Sequence, residues 1–224
     1  MSSFLLKIIA AVTMLIDHAG LMLFPQATWM RAVGRLAFPL FAFCIAEGFL
    51  YTRSRLKYFL RLFLLGTACQ IVYLVAEGDT LLGILLTFSL SILLMWITDI
   101  AKRAFREEKK SRYALALAAA ASIAAAAVLC AFVEFDYGFV GVMLPVWISL
   151  FEKKEYRLAA LGFGLAPLCL ETWMYGGYRQ MWSLMTVPIV ALYNGKPGKY
   201  RMKWFFYVFY PAHLAALQVI DWIV

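Results

Sequence analysis

Long apolar runs make up most of this chain, and short polar stretches separate each run from the next. A helix that crosses a membrane needs about 17–25 mainly apolar residues, and about nine runs approach that length. The pattern therefore predicts an all-α, polytopic integral membrane protein with about nine transmembrane helices. The predicted helices are Phe4–Leu23, Gly34–Tyr51, Leu56–Ala76, Thr80–Thr98, Tyr113–Val133, Phe139–Phe151, Leu158–Leu170, Met181–Tyr193 and Trp204–Val224. The sixth, seventh and eighth are short, which indicates helices that are tilted, broken or longer than these bounds.

The polar stretches alternate in charge, and this alternation orients the predicted helices. One set is basic and holds 18 of the 21 Lys and Arg residues, whereas the other set is acidic. The basic set is Lys7, Arg53, Arg55, Lys57, Arg61, Lys102, Arg103, Arg106, Lys109, Lys110, Arg112, Lys153, Lys154, Arg157, Lys196, Lys199, Arg201 and Lys203; the acidic set is Glu77, Asp79, Glu134, Asp136 and Glu171. Because cytoplasmic loops carry the excess of Lys and Arg, we expect a cytoplasmic N-terminus and an outer C-terminus. Only Arg31, Arg35 and Arg179 fall on the outer side, where topology does not explain them.

The composition also indicates a membrane protein, and not a soluble domain or a nucleic-acid-binding protein. The chain has 224 residues, of which 64% are hydrophobic and 15% charged, with a mean hydropathy of +0.80. Soluble domains have nearer ~45–50% apolar residues. The net charge of +8 does not indicate a nucleic-acid partner, because the basic residues lie in short clusters between apolar runs. We expect a single transmembrane domain over residues 1–224, in contact with membrane lipid and without internal repeats.

Two further features of the sequence are interpreted as structural. The first apolar run contains Asp17 and His18 and lacks an Ala-x-Ala-like cleavage site, so we expect a first span and not a removable signal peptide. The cysteines all lie in apolar runs without paired spacing, so we expect neither a metal site nor a disulfide. They are Cys44, Cys69, Cys130 and Cys169.

The first predicted helix carries Lys7, Asp17 and His18 inside an otherwise apolar segment. An ionisable residue within a membrane is costly and by default indicates a functional site. His18 follows Lys7 by eleven residues, or three turns plus ~20°, so both side chains lie on one helix face, roughly 16 Å apart along the axis. Neutral imidazole is tolerated in a membrane and titrates near the range that general base catalysis needs. His18 is therefore the main chemical candidate, with a hydrogen-bonded structural histidine as the alternative.

Two arginines and a glutamate mark the second predicted helix. Arg31 and Arg35 are four residues apart and share a face, so their repulsion calls for an anion between them. Asp17, a carboxylated or phosphorylated substrate, or lipid headgroups would supply it. Glu47 lies deep in the apolar run and is protonated, catalytic or, as we expect, part of a structural ion pair with a loop arginine.

The second of the chain's two histidines, His213, lies about nine residues into the last predicted helix. Its depth of roughly 13 Å approaches that of His18, so we expect the two to share a polar cavity. The cytoplasmic loop YNGKPGK, from Tyr193 to Lys199, has glycines that permit close backbone approach and lysines that could hold phosphates. It follows neither the Walker nor the Rossmann pattern.

These segments resemble the TraX family, which is named for a protein associated with the N-acetylation of conjugative pilin. The matching segments occur in the same order and cover nearly the whole chain. They are LKIIAAVTMLIDHAG at the start, GRLAFPLFAFCIAEGF in the second predicted helix, FDYGFVGVMLP in the middle, and LYNGKPGK followed by FYVFYPAHL at the end. The spacing from Lys7 to His18 also resembles the basic residue, ten intervening positions and histidine of membrane acyltransferases that decorate surface glycans.

The resemblance implies transfer of an acetyl or acyl group from a cytoplasmic thioester such as acetyl-CoA to an acceptor at or beyond the membrane. It makes His18 the motif histidine, acting as general base or transient acyl carrier. The expected catalytic residues are His18, Asp17, Glu47 and His213; the expected acetyl-CoA-binding residues are Lys7, Asn194, Lys196 and Lys199; and the expected acceptor-binding residues are Arg31 and Arg35.

From this resemblance we expect a multi-pass acetyltransferase of a bacterial-type inner membrane. It would use acetyl-CoA, no metal, and an acceptor amine or hydroxyl on pilin, glycan or lipid. Two other classes would use the same residues. In a proton-coupled transporter or flippase, the buried histidines and carboxylates would relay protons and the outer arginines would grip an anionic substrate. A non-catalytic assembly factor for surface polymers would depend on neither histidine.

Overall fold

The computed structural model describes residues 1–78, 80–198 and 203–223, and these ranges are mainly helical. In these ranges the structure has one isolated β-bridge, between Leu82 and Phe135. The α-helices are α1 (Ser3–Met22), α2 (Thr28–Gly34), α3 (Ala37–Tyr51), α4 (Arg55–Glu77), α5 (Ile84–Arg106), α6 (Arg112–Phe132), α7 (Gly138–Leu150), α8 (Lys154–Met174), α9 (Thr186–Ala191) and α10 (Lys203–Ile223). A 3₁₀ segment, Arg179–Met185, lies between α8 and α9. The predicted all-α fold is confirmed.

Each of the nine predicted apolar segments overlaps helical structure, although several bounds differ. α7 is short as predicted, whereas α8 extends well beyond the predicted Leu158–Leu170. The 3₁₀ segment and α9 together take the place of the eighth predicted helix. Among the described residues, five stretches are long and apolar enough to cross a membrane: Ser3–Met22, Thr28–Tyr51, Arg55–Ala76, Ile84–Arg106 and Arg112–Phe132. The structure thus supports a polytopic helical membrane protein, and the count of nine spans stays a prediction.

Contacts divide the chain into two compact units. The first consists of Met1–Cys44 and Leu161–Val224, and the second of Ile45–Ala160. The first therefore holds α1, α2, the 3₁₀ segment, α9 and α10, and the second holds α4 to α7, while α3 and α8 contribute residues to both. In the first unit, α1 packs against α2 and α10, and α2 also packs against the 3₁₀ segment.

Two glycines allow α1 and α2 to approach closely. A Cβ added at Gly20 would come within 2.6 Å of the Cβ of Met30. A Cβ added at Gly34 would overlap the side chain of Asp17. Small residues let membrane helices pack with their backbones close together. Gly34 therefore provides the space in which the Asp17 carboxylate lies against α2.

α5 is the central helix of the second unit, and α4, α6 and α7 pack against it. The buried hydroxyl of Ser91 donates to the carbonyl of Val142 at 2.7 Å, and Thr87 donates to the carbonyl of Asp136 at 3.2 Å. Hydrogen bonds between membrane helices contribute only about 0.6 kcal/mol on average. Their main effect here is to fix the register of α5 against the start and middle of α7.

Basic stretches of the second unit meet at one of its ends. Asp99 forms ion pairs with Arg55 at 2.6 Å and with Arg103 at 2.8 Å. Arg106 forms an ion pair with Glu152, and the hydrogen bond between them holds the pKa of the Glu152 carboxyl below its usual range. The start of α4, the end of α5 and the α7–α8 connection therefore lie together, as the alternation of charge predicts.

The acidic stretches of this unit meet at the opposite ends of the same helices. The amide of Leu82, just before α5, donates to the carbonyl of Glu134 at 2.9 Å. The amide of Asp136, just before α7, donates back to Leu82 at 2.9 Å. This short reciprocal pairing joins the α4–α5 and α6–α7 connections, so the loops of the unit sort by charge onto two ends.

Candidate functional site

The two histidines of the chain are in direct contact in the first unit, where α1 packs against α10. Nδ1 of His18 lies 2.7 Å from Nε2 of His213, and the ring centres are 5.0 Å apart with planes inclined by 15°. His213 is buried and His18 is half-buried. The residues that the sequence places at similar depth on the first and last helices therefore form one imidazole pair.

A backbone carbonyl determines the direction of the hydrogen bonds in this pair. Nδ1 of His213 lies 2.7 Å from the carbonyl oxygen of Phe209, and a carbonyl only accepts, so a neutral His213 carries its proton on Nδ1. Nε2 of His213 is then the acceptor, and Nδ1 of His18 is the donor. Proton positions assigned from the hydrogen-bond network in this way leave Nε2 of His18 with a free lone pair.

An aromatic side chain holds the second imidazole in place. The ring of Phe209 stacks on that of His213, with centres 4.9 Å apart and an interplanar angle of 11°. Phe209 therefore contacts His213 twice, through its ring and through its carbonyl oxygen. The ring of Tyr210 also meets His213 edge-on, with centres 6.1 Å apart, and together these contacts direct Nε2 of His213 at His18.

Asp17 is adjacent to His18 in sequence but contacts a different helix. Nη1 of Arg31 lies 2.7 Å from Oδ2 of Asp17 and also donates to the Asp17 carbonyl oxygen at 3.2 Å. Adjacent helix positions diverge by about 100°, so Asp17 faces α2 while His18 faces α10. Arg35 lies four residues further on, at the C-terminal cap of α2. The sequence left several candidate anions for Arg31, and in the structure its anionic partner is Asp17.

Lys7 and His18 share one face of α1, as predicted, because both contact α10. Nζ of Lys7 lies 6.0 Å from the centre of the Phe206 ring, at the limit of a cation–π contact. Phe4 packs edge-on against the same ring, with centres 6.3 Å apart. The start of α1 therefore meets Phe206 while His18 meets His213 further along, so α1 and α10 run parallel.

The loop from Tyr193 to Gly198 is fastened to the start of α1. The amide of Ser3 donates to the carbonyl of Lys196 at 2.9 Å, and the amide of Phe4 donates to that of Pro197 at 3.2 Å. Free amides at a helix N-terminus are a ready site for phosphate. Here the loop carbonyls already occupy these two donors, so the start of α1 is not such a site.

Of the predicted acetyl-CoA-binding residues, two lysines remain suited to phosphate. Oδ1 of Asn194 accepts a hydrogen bond from the amide of Lys196 at 3.1 Å, so this side chain stabilises the turn. Lys196 is exposed and Lys7 is half-buried, both at the N-terminal end of α1. Lys199 lies outside the described residues.

Glu47 belongs to the second unit, where it pairs with Arg157. Oε2 of Glu47 lies 2.5 Å from Nη2 of Arg157, and both residues are buried. This is the ion pair expected for Glu47. The prediction that Arg157 belongs to a loop is wrong, because α8 begins at Lys154 and Arg157 therefore lies one turn inside a helix.

Asp99 is a structural residue that sequence reasoning missed. It lies near the end of α5 and links Arg55 to Arg103. The available signal is its position four residues before Arg103, a spacing that brings opposite charges together on a helix. A count of loop charges overlooks Asp99, because this residue lies next to a basic stretch.

A row of buried polar side chains along the 3₁₀ segment was also missed. Gln180, Ser183 and Thr186 are all buried. Gln180 and Ser183 are three residues apart and share one face of the 3₁₀ segment, and Thr186 is the first residue of α9. The Ser183 hydroxyl donates to the carbonyl of Gln180 at 2.6 Å. Sγ of Cys169, on α8, lies 3.5 Å from the same carbonyl. The sequence pattern predicted an ordinary apolar helix here because apolar residues fill the intervening positions.

The part of the chain that the structure describes contains no group of three or more His, Cys, Asp or Glu side chains placed to hold a metal ion. The two histidines, the most obvious ligands, hydrogen-bond to each other. The expectation that no metal is used stays a prediction.

Comparison with known proteins identifies relatives of the chain. The family model described as TraX protein matches residues 2–221. A protein of Dichelobacter nodosus named "Probable fimbrial assembly protein FimC, serogroup H1" is 27% identical over an alignment that covers 96% of this chain and 94% of that protein. An uncharacterized protein of Rickettsia prowazekii (strain Madrid E) is 49% identical over 45 residues, 20% of this chain and 18% of that protein. No solved structure matches the chain significantly.

Proposed function

The chain belongs to the TraX family, and on that premise we propose that it is an integral membrane acyltransferase. It transfers an acetyl group from acetyl-CoA to an amine or hydroxyl of an acceptor on pilin, glycan or lipid. The name of the Dichelobacter relative, a probable fimbrial assembly protein, favours an acceptor connected with fimbriae. The observation that carries the proposal is the histidine pair, which leaves a free lone pair on Nε2 of His18.

That lone pair suits His18 to act as a general base. Nε2 takes the proton of the acceptor amine or hydroxyl while the acceptor's nitrogen or oxygen bonds to the thioester carbonyl carbon. The carbon–sulfur bond then breaks, and the departing thiolate takes the proton from His18. The products are the acetylated acceptor and free CoA, and His18 returns to its initial state.

His213 supports this cycle by accepting from Nδ1 of His18. When Nε2 of His18 holds the proton, the imidazolium needs an acceptor at Nδ1, and Nε2 of His213 is in place to provide it. In catalytic triads a buried carboxylate plays this orienting and stabilising part. Asp17 faces Arg31 and Glu47 pairs with Arg157, so both carboxylates have structural partners and the neutral imidazole of His213 takes the orienting role.

The N-terminal end of α1 is the proposed donor side. Compact ammonium groups suit phosphates, and Lys7 and Lys196 carry such groups at this end of the first unit, with Lys199 following in sequence. Roughly 16 Å of helix separates Lys7 from His18. In this arrangement the phosphates of acetyl-CoA stay at the cytoplasmic boundary while the thioester reaches towards the membrane interior.

We also propose nine crossings of the inner membrane with a cytoplasmic N-terminus. Parallel α1 and α10 require an odd number of crossings if both helices span the membrane. The fastening of the Tyr193–Gly198 loop to the start of α1 favours a common side for these two segments. Basic residues are concentrated there and at one end of the second unit, as expected for the cytoplasmic side.

Labelled acetyl-CoA tests the proposed reaction. Purified protein in lipid nanodiscs is expected to release CoA and to label an acceptor from a membrane extract. Replacing His18→Ala should lower the rate by about 10²–10⁴-fold, because a positioned general base contributes that much, without preventing membrane insertion. A transporter or an assembly factor would release no CoA. Full activity in the His18→Ala variant would exclude the mechanism.

A further inference from the structure

Two arginines flank the point where α2 meets Asp17 of α1. Arg31 lies in the last turn of α2 and Arg35 caps the helix, while the side chain of Asp17 packs against Gly34. The Asp17 carboxylate forms its ion pair with Arg31, at 2.7 Å. In the described ranges Arg35 has neither an ion pair nor a side-chain hydrogen bond. This part of the first unit therefore has a positive charge that the described side chains do not balance.

The guanidinium of Arg35 begins inside the protein. Its Nε atom is buried without a hydrogen-bond partner among the described residues, and the residue as a whole is half-buried. Removing a charge from water is costly when no ion pair compensates for the lost hydration. An arginine that only extends to the lipid headgroups keeps its whole charged group in the polar layer, and the buried Nε is inconsistent with that arrangement. The geometry thus favours an anion that binds to Arg35 within the protein.

The helix dipoles do not supply the missing negative charge. α2 ends at Gly34, so its partially negative end lies at Arg35. α3 begins at Ala37, so its partially positive end lies beside the same arginine. Helix ends carry opposite partial charges of about half a unit, and the two contributions therefore largely cancel at this position. A full counter-charge must come from a bound group.

Arg35 is also close to the proposed catalytic residue along the backbone. A Cβ added at Gly34 would overlap Oδ1 of Asp17, so α2 touches Asp17 one residue before Arg35. His18 is the residue that follows Asp17. Consecutive Cα atoms are about 3.8 Å apart, so Arg35 and His18 each lie one such step from this contact. A group bound at Arg35 is therefore next to the segment of α1 that carries the proposed base.

We propose that Arg35 binds an anionic group of the acceptor, a carboxylate or a phosphate, near the amine or hydroxyl that is acylated. This inference rests on the proposed acyl transfer and narrows its acceptor. It also separates the two arginines that the sequence suggested for this role, because Arg31 pairs with Asp17 and joins α2 to α1. A planar guanidinium suits both anions, since it donates two parallel hydrogen bonds to their oxygens.

A phospholipid headgroup, a phosphorylated sugar and a peptide carboxylate all offer such oxygens, so the experiment must separate these sources. Protein in phosphatidylcholine nanodiscs receives labelled acetyl-CoA and one of three pairs of acceptors, each pair differing in its anionic group. The pairs are phosphoethanolamine and ethanolamine, glucose 6-phosphate and glucose, and Ala-Ala and Ala-Ala-amide. In at least one pair the anionic member should have a kcat/KM about tenfold higher or more, the effect of one charge-assisted hydrogen bond. The pair that shows this preference identifies the source.

Variants of the outer arginines test whether Arg35 causes the preference. In Arg35→Gln the ratio of kcat/KM between the anionic and neutral acceptor should fall to about one, through a higher KM for the anionic acceptor. Arg35→Lys keeps the charge without the planar group and should retain part of the preference. Arg179→Gln is the matched control, because Arg179 is exposed, belongs to the same unit and is on the outer side in the proposed topology. Equal loss of the preference in Arg179→Gln would overturn the assignment to Arg35.

The melting temperature separates this role from a structural one without any measurement of activity. Arg31→Gln should lower it, because the Asp17 carboxylate then loses its partner. Arg35→Gln should not lower it, because the replaced charge has no ion pair among the described residues. An equal fall in both variants would show that Arg35 stabilises the fold, and would contradict an anion-binding role.

The remaining outcomes distinguish this inference from the proposed function. If CoA is released but both members of every pair are acetylated alike, the anion assignment fails while acyl transfer stands. If no probe leads to CoA release, the acyltransferase proposal fails, and thermal stabilisation then decides on the anion site. In that case an anionic probe should raise the melting temperature of the wild type more than that of Arg35→Gln. Equal shifts in the two proteins would exclude anion binding at Arg35.

Discussion

At the scale of single residues, His213 differs from the usual orienting group of a general base because it is neutral. Its Nδ1 is committed to the Phe209 carbonyl, so only Nε2 can accept from His18. A neutral acceptor avoids the cost of a second buried charge in the membrane. As a consequence, a single carbonyl decides the tautomer of both rings, and therefore which nitrogen of His18 is the proposed base.

This dependence predicts different effects of two replacements at His213. His213→Gln keeps an acceptor oxygen that can reach Nδ1 of His18, whereas His213→Phe keeps the stacking on Phe209 but offers no acceptor. We expect the phenylalanine variant to lose about 10²-fold or more in kcat, as when an orienting partner is removed. The glutamine variant should retain more of the activity. CoA release under saturating acetyl-CoA measures both.

Thermal stability in detergent is the companion measurement. The two variants should be similarly folded, because each retains a planar or stacked side chain at a buried position. Equal activity in both variants, at the wild-type rate, would show that Nε2 of His213 does not act on His18.

At the scale of helices, the site depends on how closely α1 approaches α2. Arg31 reaches α1 at both the carboxylate and the carbonyl of Asp17, and this geometry needs the absence of a side chain at Gly34. Since His18 directly follows Asp17, a displacement of Asp17 moves the proposed catalytic residue as well. The α1–α2 contact thus links a packing requirement to the position of the proposed base.

Gly34→Ala is therefore expected to reduce activity more than a helix substitution normally does. Its Cβ would overlap the Asp17 side chain, so α1 and α2 must separate or the ion pair with Arg31 must break. The melting temperature should fall and CoA release should drop at least tenfold, because small misplacements of a catalytic group are costly.

Gly162→Ala is the matched control for this prediction. Its added Cβ would lie 3.6 Å from Cγ2 of Val187, an ordinary contact, and alanine is the better helix former by about 1 kcal/mol. This variant should be at least as stable as the wild type and keep its activity. Equal behaviour of the two alanine variants would show that the α1–α2 approach has no functional role.

At the scale of the whole molecule, hydropathy and charge were sufficient to predict the helices and the sorting of loops in the second unit. Lys7 and His18 were placed on one helix face from spacing alone. Arg157 was misplaced because charge counting treats every arginine near a helix end as a loop residue. Gln180 and Ser183 were missed because the change from 3.6 to 3.0 residues per turn, which aligns them, depends on tertiary packing.

The protonation pattern of the site could not be predicted from the sequence, for a different reason. The depth of His18 and His213 could be estimated from position along each helix, but not the rotamers that bring Nδ1 of one to Nε2 of the other. The partner of Arg31 was likewise one of several candidates, since helix spacing leaves the approach of α2 to α1 undetermined. Contacts between helices distant in sequence decide both.

Membrane orientation decides whether the proposed chemistry has access to its donor, because acetyl-CoA is a cytoplasmic compound in this proposal and Lys7 and Lys196 must therefore face the cytoplasm. Single cysteines in a background without Cys44, Cys69, Cys130 and Cys169 test this directly. Lys110→Cys, between α5 and α6, should react with a membrane-impermeant maleimide only after permeabilisation. Tyr175→Cys, which replaces an exposed residue after α8, should react in intact cells.

Labelling of both cysteines from the same side of the membrane would mean that one of α6, α7 and α8 does not cross it. α7, with 13 residues, is the first helix to examine. Exchange of the two sides would put the lysines outside and rule out cytoplasmic acetyl-CoA as the donor.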